Sequence, residues 1–281
     1  MNVREAVAAA LAEDLGPLGD ITAALLPPHV VAEAVLVPRT DGVLAGCAPA
    51  REAFLQVDRR IEVVWSASDG DGVPAGAAVA RVTGPLGAVL TAERSALNFL
   101  GHLSGVATLT RRYVDLAASS GSAAIRDTRK TTPGLRGLEK AAVRAGGGVN
   151  HRGNLSDGIL VKDNHLAGMS IAEAVGAGRR MWPGRTVQVE CDTVDELEQA
   201  LAAGADLVLL DNMSPAEVAT CVTLVAASVA ERDGRRCLVE CSGGVTLETV
   251  ASYSATGVDL IAIGALTHSA PVLDIGLDLV A

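Results

Sequence analysis

All three lysines of this 281-residue chain, Lys130, Lys140 and Lys162, fall in one window, while its other 20 basic residues are arginines. A chain that uses Arg wherever a generic cation suffices keeps Lys where a compact, rotatable ammonium is needed, as at a phosphate or a reacting group. The planar guanidinium does not substitute for it there. The window from Arg126 to Lys162 holds eight basic residues (Arg126, Arg129, Lys130, Arg136, Lys140, Arg144, Arg152, Lys162) against three acidic ones (Asp127, Glu139, Asp157), although the whole chain carries a net charge of −10. A local cationic pocket in an anionic protein suits a small ligand bearing several phosphates or carboxylates. An exposed helix face of cations is the plainer alternative, and it suits Arg144.

Carboxylates and glycines complete the inventory. Glu190 and Asp211 end neighbouring apolar runs, where they can hold the hydroxyls of a sugar or a magnesium ion, a cation that keeps several waters and takes one or two carboxylates plus phosphate. Ser242-Gly243-Gly244 and Gly264-Ala265 end the last two runs, and glycine there lets backbone N–H groups approach a phosphate. Such a set points to phosphoribosyl transfer rather than hydrolysis, since no Ser/His/Asp constellation and no G-x-S-x-G elbow is present. Plainer roles compete at several positions: Asp192 as the N-cap of the next helix, Asp195-Glu196 as a solvated first turn, Gly146-Gly147-Gly148 as a helix stop, and His165 and His268 as structural histidines.

The elements that must position these groups follow from periodicity. Residues 3–14 read as a helix stopped at Gly16-Pro17. Short β-type runs over 33–37, 42–45, 61–65 and 78–83 alternate with turn punctuation such as Asp69-Gly-Asp-Gly-Val-Pro74, with a helical insert near 49–58. A long helical region over 86–119 is expected to break or bend near Gly101 and Gly105. Beyond it, apolar runs at 123–128, 159–162, 187–191, 207–210, 238–240 and 260–263 alternate with helical stretches such as 192–203 and 215–231. That rhythm implies a parallel sheet covered by helices, closed or nearly closed into a barrel, with a doubly wound open sheet as the alternative. Six polar strand ends would then converge on one face: Asp127-Thr-Arg-Lys130, Lys162-Asp-Asn-His165, Glu190-Cys-Asp192, Asp211-Asn212, Glu240-Cys-Ser-Gly-Gly244 and Gly264-Ala265. The expected domains are 1–105 and 106–269, with 270–281 packing back on the first.

Composition narrows the class. With 49% hydrophobic and 20% charged residues the chain is an ordinary globular protein, and its negative charge disfavours nucleic acid and anionic membranes. Five scattered cysteines without a C-x-x-C pair suggest neither a disulfide framework nor a zinc site. The longest apolar stretch, 218–230, is too short to span a bilayer, and no signal peptide is evident, so a cytoplasmic protein is expected. Neither a G-x-G-x-x-G after the first strand of the barrel nor a P-loop is present.

Longer motifs make a family visible. DTRKTTPGLR (127–136), Glu139-Lys140, GGGVNHR (146–152), ILVKDNH (159–165), LDNMS (210–214), SGGV (242–245) and GALTHS (264–269) resemble quinolinate phosphoribosyltransferase, and TAERSALN (91–98) and GVLAG (42–46) extend the likeness into the first domain. The resemblance implies an N-terminal α/β sandwich followed by an incomplete parallel α/β barrel. It also implies a homodimer with shared active sites, a unit from which hexamers can be built. The implied reaction joins quinolinate and 5-phosphoribosyl 1-pyrophosphate (PRPP) into nicotinate mononucleotide, carbon dioxide and pyrophosphate, for NAD synthesis.

Carried over by position, Arg129, His151, Arg152 and Lys162 would surround the quinolinate carboxylates, with Thr128 beside them and Arg94 arriving from the neighbouring subunit. Lys130 and Lys162 would face PRPP. Glu190 and Asp211 would take the ribose hydroxyls and magnesium, and Ser242, Gly243, Gly244, Gly264 and Ala265 the 5-phosphate; Lys130, Lys162, Glu190 and Asp211 would be the catalytic set. Similar molybdate-operon proteins, a nicotinate phosphoribosyltransferase and a catalytically silent binding protein are the alternatives. Cys191 and Cys241 depart from the small or β-branched residues expected there, which touches packing rather than chemistry.

Overall fold

The computed structural model describes residues 2–229 and 236–280. These residues form twelve strands: β1 Val31–Pro38, β2 Gly42–Val43, β3 Glu62–Trp65, β4 Gly72–Val73, β5 Ala80–Pro85, β6 Ala124–Arg126, β7 Ile159–Val161, β8 Val187–Cys191, β9 Leu207–Asp211, β10 Leu238–Ser242, β11 Leu260–Ala262 and β12 Ile275–Leu279. The chain divides into two compact units. One comprises Met1–Arg111, Lys130–Gly147 and Ala265–Ala281, the other Arg112–Arg129 and Gly148–Gly264.

The first unit is built on an antiparallel sheet in the order β12-β1-β5-β3, with β2 and β4 forming a separate two-stranded ribbon. β4 lies within the stretch read from sequence as turn punctuation, because a two-residue strand is held by its pairing with Gly42 and Val43 rather than by its own propensity. Helix α1 (Val3–Leu15) starts with a capping box between Asn2 and Glu5 and ends at Gly16. Helix α2 (Cys47–Val57) buries Phe54 in a core shared with Leu36, Leu44, Ile61 and Leu100.

Helix α3 (Leu86–Ala118) runs unbroken for 33 residues, so of the expected break or bend near Gly101 and Gly105 the break is absent. The two glycines serve close approach instead. A Cβ at position 101 would lie 2.9 Å from the Leu273 carbonyl oxygen, and one at 105 would collide with the carbonyl of Pro271. The segment laid across the helix there leads into β12, which pairs antiparallel with β1. Helix α4 (Arg136–Ala145) is stopped at Gly146, and Gly147 takes a φ of 92°.

The second unit is a six-stranded parallel sheet in the order β6-β11-β10-β9-β8-β7. Strands β7 to β11 add in one direction without reversal, and the first strand of the series pairs with the last, as in a barrel rather than a doubly wound sheet. The barrel is incomplete between β6 and β7, where Arg126 and Val149 make an isolated parallel bridge. Helices α5 (Ile171–Met181), α6 (Val194–Ala202) and α7 (Pro215–Ala227) cover it; Ala230 and Glu231, at the end of the helical stretch expected over 215–231, lie outside the described residues. The covered face is apolar, with Val187, Val189, Cys191, Val208, Leu210, Cys241 and Ile261 all buried.

Alternation along the strands therefore puts Gln188, Glu190, Asp211, Glu240 and Ser242 on the opposite, inner face. The cysteines are free thiols, and burial pushes those of Cys191 and Cys241 up to about 12, so they serve packing.

Candidate active site

The inner face of the barrel carries a connected polar network. Arg126 donates from Nη1 to Glu240 Oε2 at 2.7 Å, and Gln188 donates from Nε2 to the same oxygen at 2.9 Å. Gln188 Oε1 lies 3.1 Å from His151 Nε2. Below the histidine, the fully buried Asp127 accepts the His151 backbone N–H at 2.8 Å and the Asn150 amide at 2.5 Å. Glu240 is itself fully buried, and its Oε1 has no hydrogen-bond partner. Burial pushes its carboxyl up, while Arg126 and Gln188 pull it down.

Two guanidinium groups share the neighbourhood of that histidine. Arg152 donates from Nη1 to the Gly158 carbonyl at 3.2 Å, and its Nε–H is buried without a partner. Burial, and after it the positive charge of Arg129, hold the Arg152 guanidinium below its ordinary value. A buried donor left unmade and two cations raising each other's energy are what an anionic ligand would relieve. A cavity of about 500 Å³ opens beside His151 and Arg152 and runs past Arg126 and Gln188 to Leu207 and Leu238.

Toward the C-terminal strand ends the charges are paired. The Lys162 ammonium binds Glu190 Oε2 in a short ion pair, with the Glu190 side chain only 12% exposed. Asp211 accepts the Asn212 amide at 2.7 Å, and the Asn212 backbone N–H donates to the Ser242 carbonyl at 2.9 Å, which ties the ends of β9 and β10 together. Gly243 and Gly244 both take positive φ, of 95° and 63°, so the Ser-Gly-Gly turn is one that glycine makes without steric cost. Among the described residues no group of three or more His, Cys, Asp or Glu side chains could hold a metal by itself. Glu190 and Asp211 supply two carboxylates on adjacent strands, a donor set that fits a magnesium ion arriving with a diphosphate and completing its shell with water.

The second unit thus contains Thr128, Arg129, His151, Arg152, Lys162, Glu190, Asp211, Ser242, Gly243, Gly244 and Gly264. Arg94, Lys130 and Ala265 belong to the first: Arg94 is exposed on α3, the Lys130 carbonyl accepts the Thr267 hydroxyl at 2.8 Å, and Ala265 opens the short helix Ala265–His268. Asp192 is not the cap that sequence suggested. Thr193 caps α6 by accepting the Glu196 N–H, and the Glu196 carboxylate accepts the N–H groups of both Asp192 and Thr193. His165 Nδ1 accepts the Lys162 N–H at 3.1 Å, a contact that suits the structural role read from the sequence. Gln188 went unnoticed in the sequence, although it stands two residues before Glu190 and hence on the same strand face.

Comparison with known proteins places residues 20–104 in the family model described as quinolinate phosphoribosyl transferase, N-terminal domain, and residues 106–278 in that of the C-terminal domain. The nicotinate-nucleotide pyrophosphorylase (carboxylating) of Mycobacterium leprae (strain TN) is 43% identical over 285 residues, covering 98% of this chain and 96% of the relative. The chloroplastic enzyme of that name from Arabidopsis thaliana is 39% identical over 289 residues, covering 98% and 82%. The solved structure of the nicotinate-nucleotide pyrophosphorylase from Francisella tularensis superposes with a TM-score of 0.91 at 38% identity, over 99% of this chain and 96% of that one.

Proposed function

This chain belongs to the quinolinate phosphoribosyltransferase family, the decarboxylating enzymes of de novo NAD synthesis, and on that premise we propose how its residues divide the work. The observation that carries the assignment is the Arg129–Arg152 pair with its buried, unpartnered Arg152 Nε–H. A carboxylate of a pyridine dicarboxylate would satisfy that buried donor, in a site where the two cations raise each other's energy.

In this reading Arg129, Arg152 and Lys162 grip the two carboxylates of quinolinate, with Thr128 and His151 beside them and Arg94 contributed by a second subunit. Lys130 and Lys162 meet the diphosphate of PRPP, Glu190 and Asp211 the ribose hydroxyls, and Ser242, Gly243, Gly244, Gly264 and Ala265 the 5-phosphate. Glu190 and Asp211 would also hold magnesium, which neutralises the leaving diphosphate when bound. Cations at the diphosphate and carboxylates at the ribose stabilise the separating charges of an oxocarbenium-like ribosyl centre. The ring nitrogen attacks that centre, pyrophosphate leaves, and the resulting pyridinium stabilises the carbanion formed as the 2-carboxylate departs as carbon dioxide. Protonation of that carbon gives nicotinate mononucleotide.

Among the described residues no helix is long and apolar enough to cross a membrane. We place the enzyme in the cytoplasm as a homodimer.

Purified protein given PRPP, magnesium and either quinolinate or nicotinate tests the reading. Carbon dioxide and nicotinate mononucleotide are expected with quinolinate, and no measurable mononucleotide with nicotinate. Equal turnover of nicotinate would overturn the assignment.

A further inference from the structure

We propose that His151 works as a neutral positioning residue, set in its Nε2–H tautomer by Glu240 acting through Gln188, and that it holds the backbone of Arg152 rather than lending a charge to the substrate. The consequence for catalysis rests on the quinolinate reading above; the tautomer does not. The argument starts at Arg126, which has donors and no acceptor, so the Glu240 oxygen it meets at 2.7 Å must accept. The same oxygen lies 2.9 Å from Gln188 Nε2, which fixes the amide: turned the other way, its carbonyl oxygen would face a carboxylate oxygen. Gln188 Oε1 then points at His151 Nε2, 3.1 Å away, and an amide oxygen can only accept. Nε2 therefore carries the proton.

The other ring nitrogen is spoken for as well. The backbone N–H of Arg152 donates to His151 Nδ1 at 2.7 Å, and a nitrogen that accepts cannot be protonated. With Nε2 donating and Nδ1 accepting, the ring is the neutral imidazole, and neither nitrogen is left to bind a carboxylate. What the ring does instead is fix the main chain at Arg152, a residue that lines the same cavity as His151. The histidine main chain is anchored in turn by Asp127, through the His151 N–H at 2.8 Å.

Glu240 and Gln188 are thus positioning residues that act through His151 on Arg152. The buried carboxylate is the anchor of the relay because its partner Arg126 stays charged at every relevant pH. Glu240 Oε1, 3.8 Å from His151 Nε2, adds a negative potential on the side of the ring where the proton sits.

Protein labelled with 15N-histidine, examined without substrate by long-range 1H–15N correlation at neutral pH, reads the tautomer directly. The signals of His151 are those lost in His151→Asn. A bare Nδ1 and a protonated Nε2 are expected; an imidazolium pattern, or the reverse tautomer, overturns the proposal. Gln188→Leu then removes the accepting oxygen while keeping bulk. It should shift the Nε2–H signal and speed its exchange with water, while Nδ1 stays bare because the Arg152 N–H still donates to it. It should also raise the KM for quinolinate roughly five- to tenfold, the worth of about one hydrogen bond, with the KM for PRPP unchanged. An unaltered His151 pattern in that variant, or an unaltered quinolinate KM, also overturns it. The wild-type spectrum decides even if Gln188→Leu fails to fold. A protein that shows the expected ring pattern yet releases no carbon dioxide from quinolinate would refute the substrate assignment and leave the tautomer relay standing.

Discussion

The side chain of Asn212 fills the space that any side chain at Gly243 would need. Asn212 is the one non-glycine residue with positive φ among those described, at 54°, and a Cβ built on Gly243 would lie 2.8 Å from the Asn212 backbone nitrogen and closer still to its Oδ1. Left-handed backbone at Asn212 turns its amide onto Asp211, and the Ser242-Gly243-Gly244 turn closes over it.

Gly243→Ala should therefore cost stability twice, about 1–2 kcal/mol for a left-handed alanine and more for the collision. A Tm lower by several degrees is expected in calorimetry, together with a raised KM for PRPP. Asn212→Gly in the same chain removes the obstructing amide and should return the side-chain part of the collision, the backbone nitrogen at 2.8 Å remaining. A double variant no more stable than Gly243→Ala alone would show that the two residues do not compete for space.

Lys162→Arg keeps the charge and can still pair with Glu190, yet most activity should be lost, because the bulkier fork cannot occupy a point-charge position. Steady-state rates on the folded variant check this. Near-normal turnover would reduce Lys162 to a packing lysine.

Arg94 is exposed on α3, and a surface pair with Glu93 does not explain it, since adjacent helix positions do not face each other. Arg94→Ala and Lys162→Ala should each be nearly inactive, while subunits exchanged between the two recover activity. One site of the mixed dimer then combines an intact barrel with an intact visiting arginine. Differently tagged subunits verify the exchange, and verified mixed dimers as inactive as their parents would place Arg94 within its own chain's chemistry or structure.

Asp192 carries a carboxyl raised above its ordinary value by burial, then by the negative charges of Glu196, Asp211 and Asp163. A raised acid binds its proton more tightly folded than unfolded. Its stabilising contribution is complete below the ordinary Asp value of about 4 and is lost as pH rises through the folded pKa. Asp192→Asn should accordingly melt higher than the parent near neutral pH, by a small margin because the residue is exposed, with the difference vanishing in acid. Parallel pH dependences of Tm for the two proteins would contradict the cause assigned to the shift.

Much of this protein was legible in its residues. Apolar runs at strand spacing marked all six barrel strands, and the polar groups just past them, from Lys162 to Ser242, are the ones found at the strand ends. Both signals are local: a strand shows its period within a few residues, and a functional group at its end is its covalent neighbour. Gly101 and Gly105 read as a break or bend in the sequence for the same reason, since nothing near them announces that residues 271–273 will lie across an unbroken α3.

The tertiary structure alone decided which inner-face groups touch. Gln188, Glu240 and His151 come from three separate segments, and only the parallel register of β8, β9 and β10 sets Gln188 within hydrogen-bonding reach of Glu240. Residue types reveal that a histidine and two acids are available. The proton on a particular ring nitrogen depends on which oxygen stands opposite it, a relation of position in space that no spacing along the chain encodes.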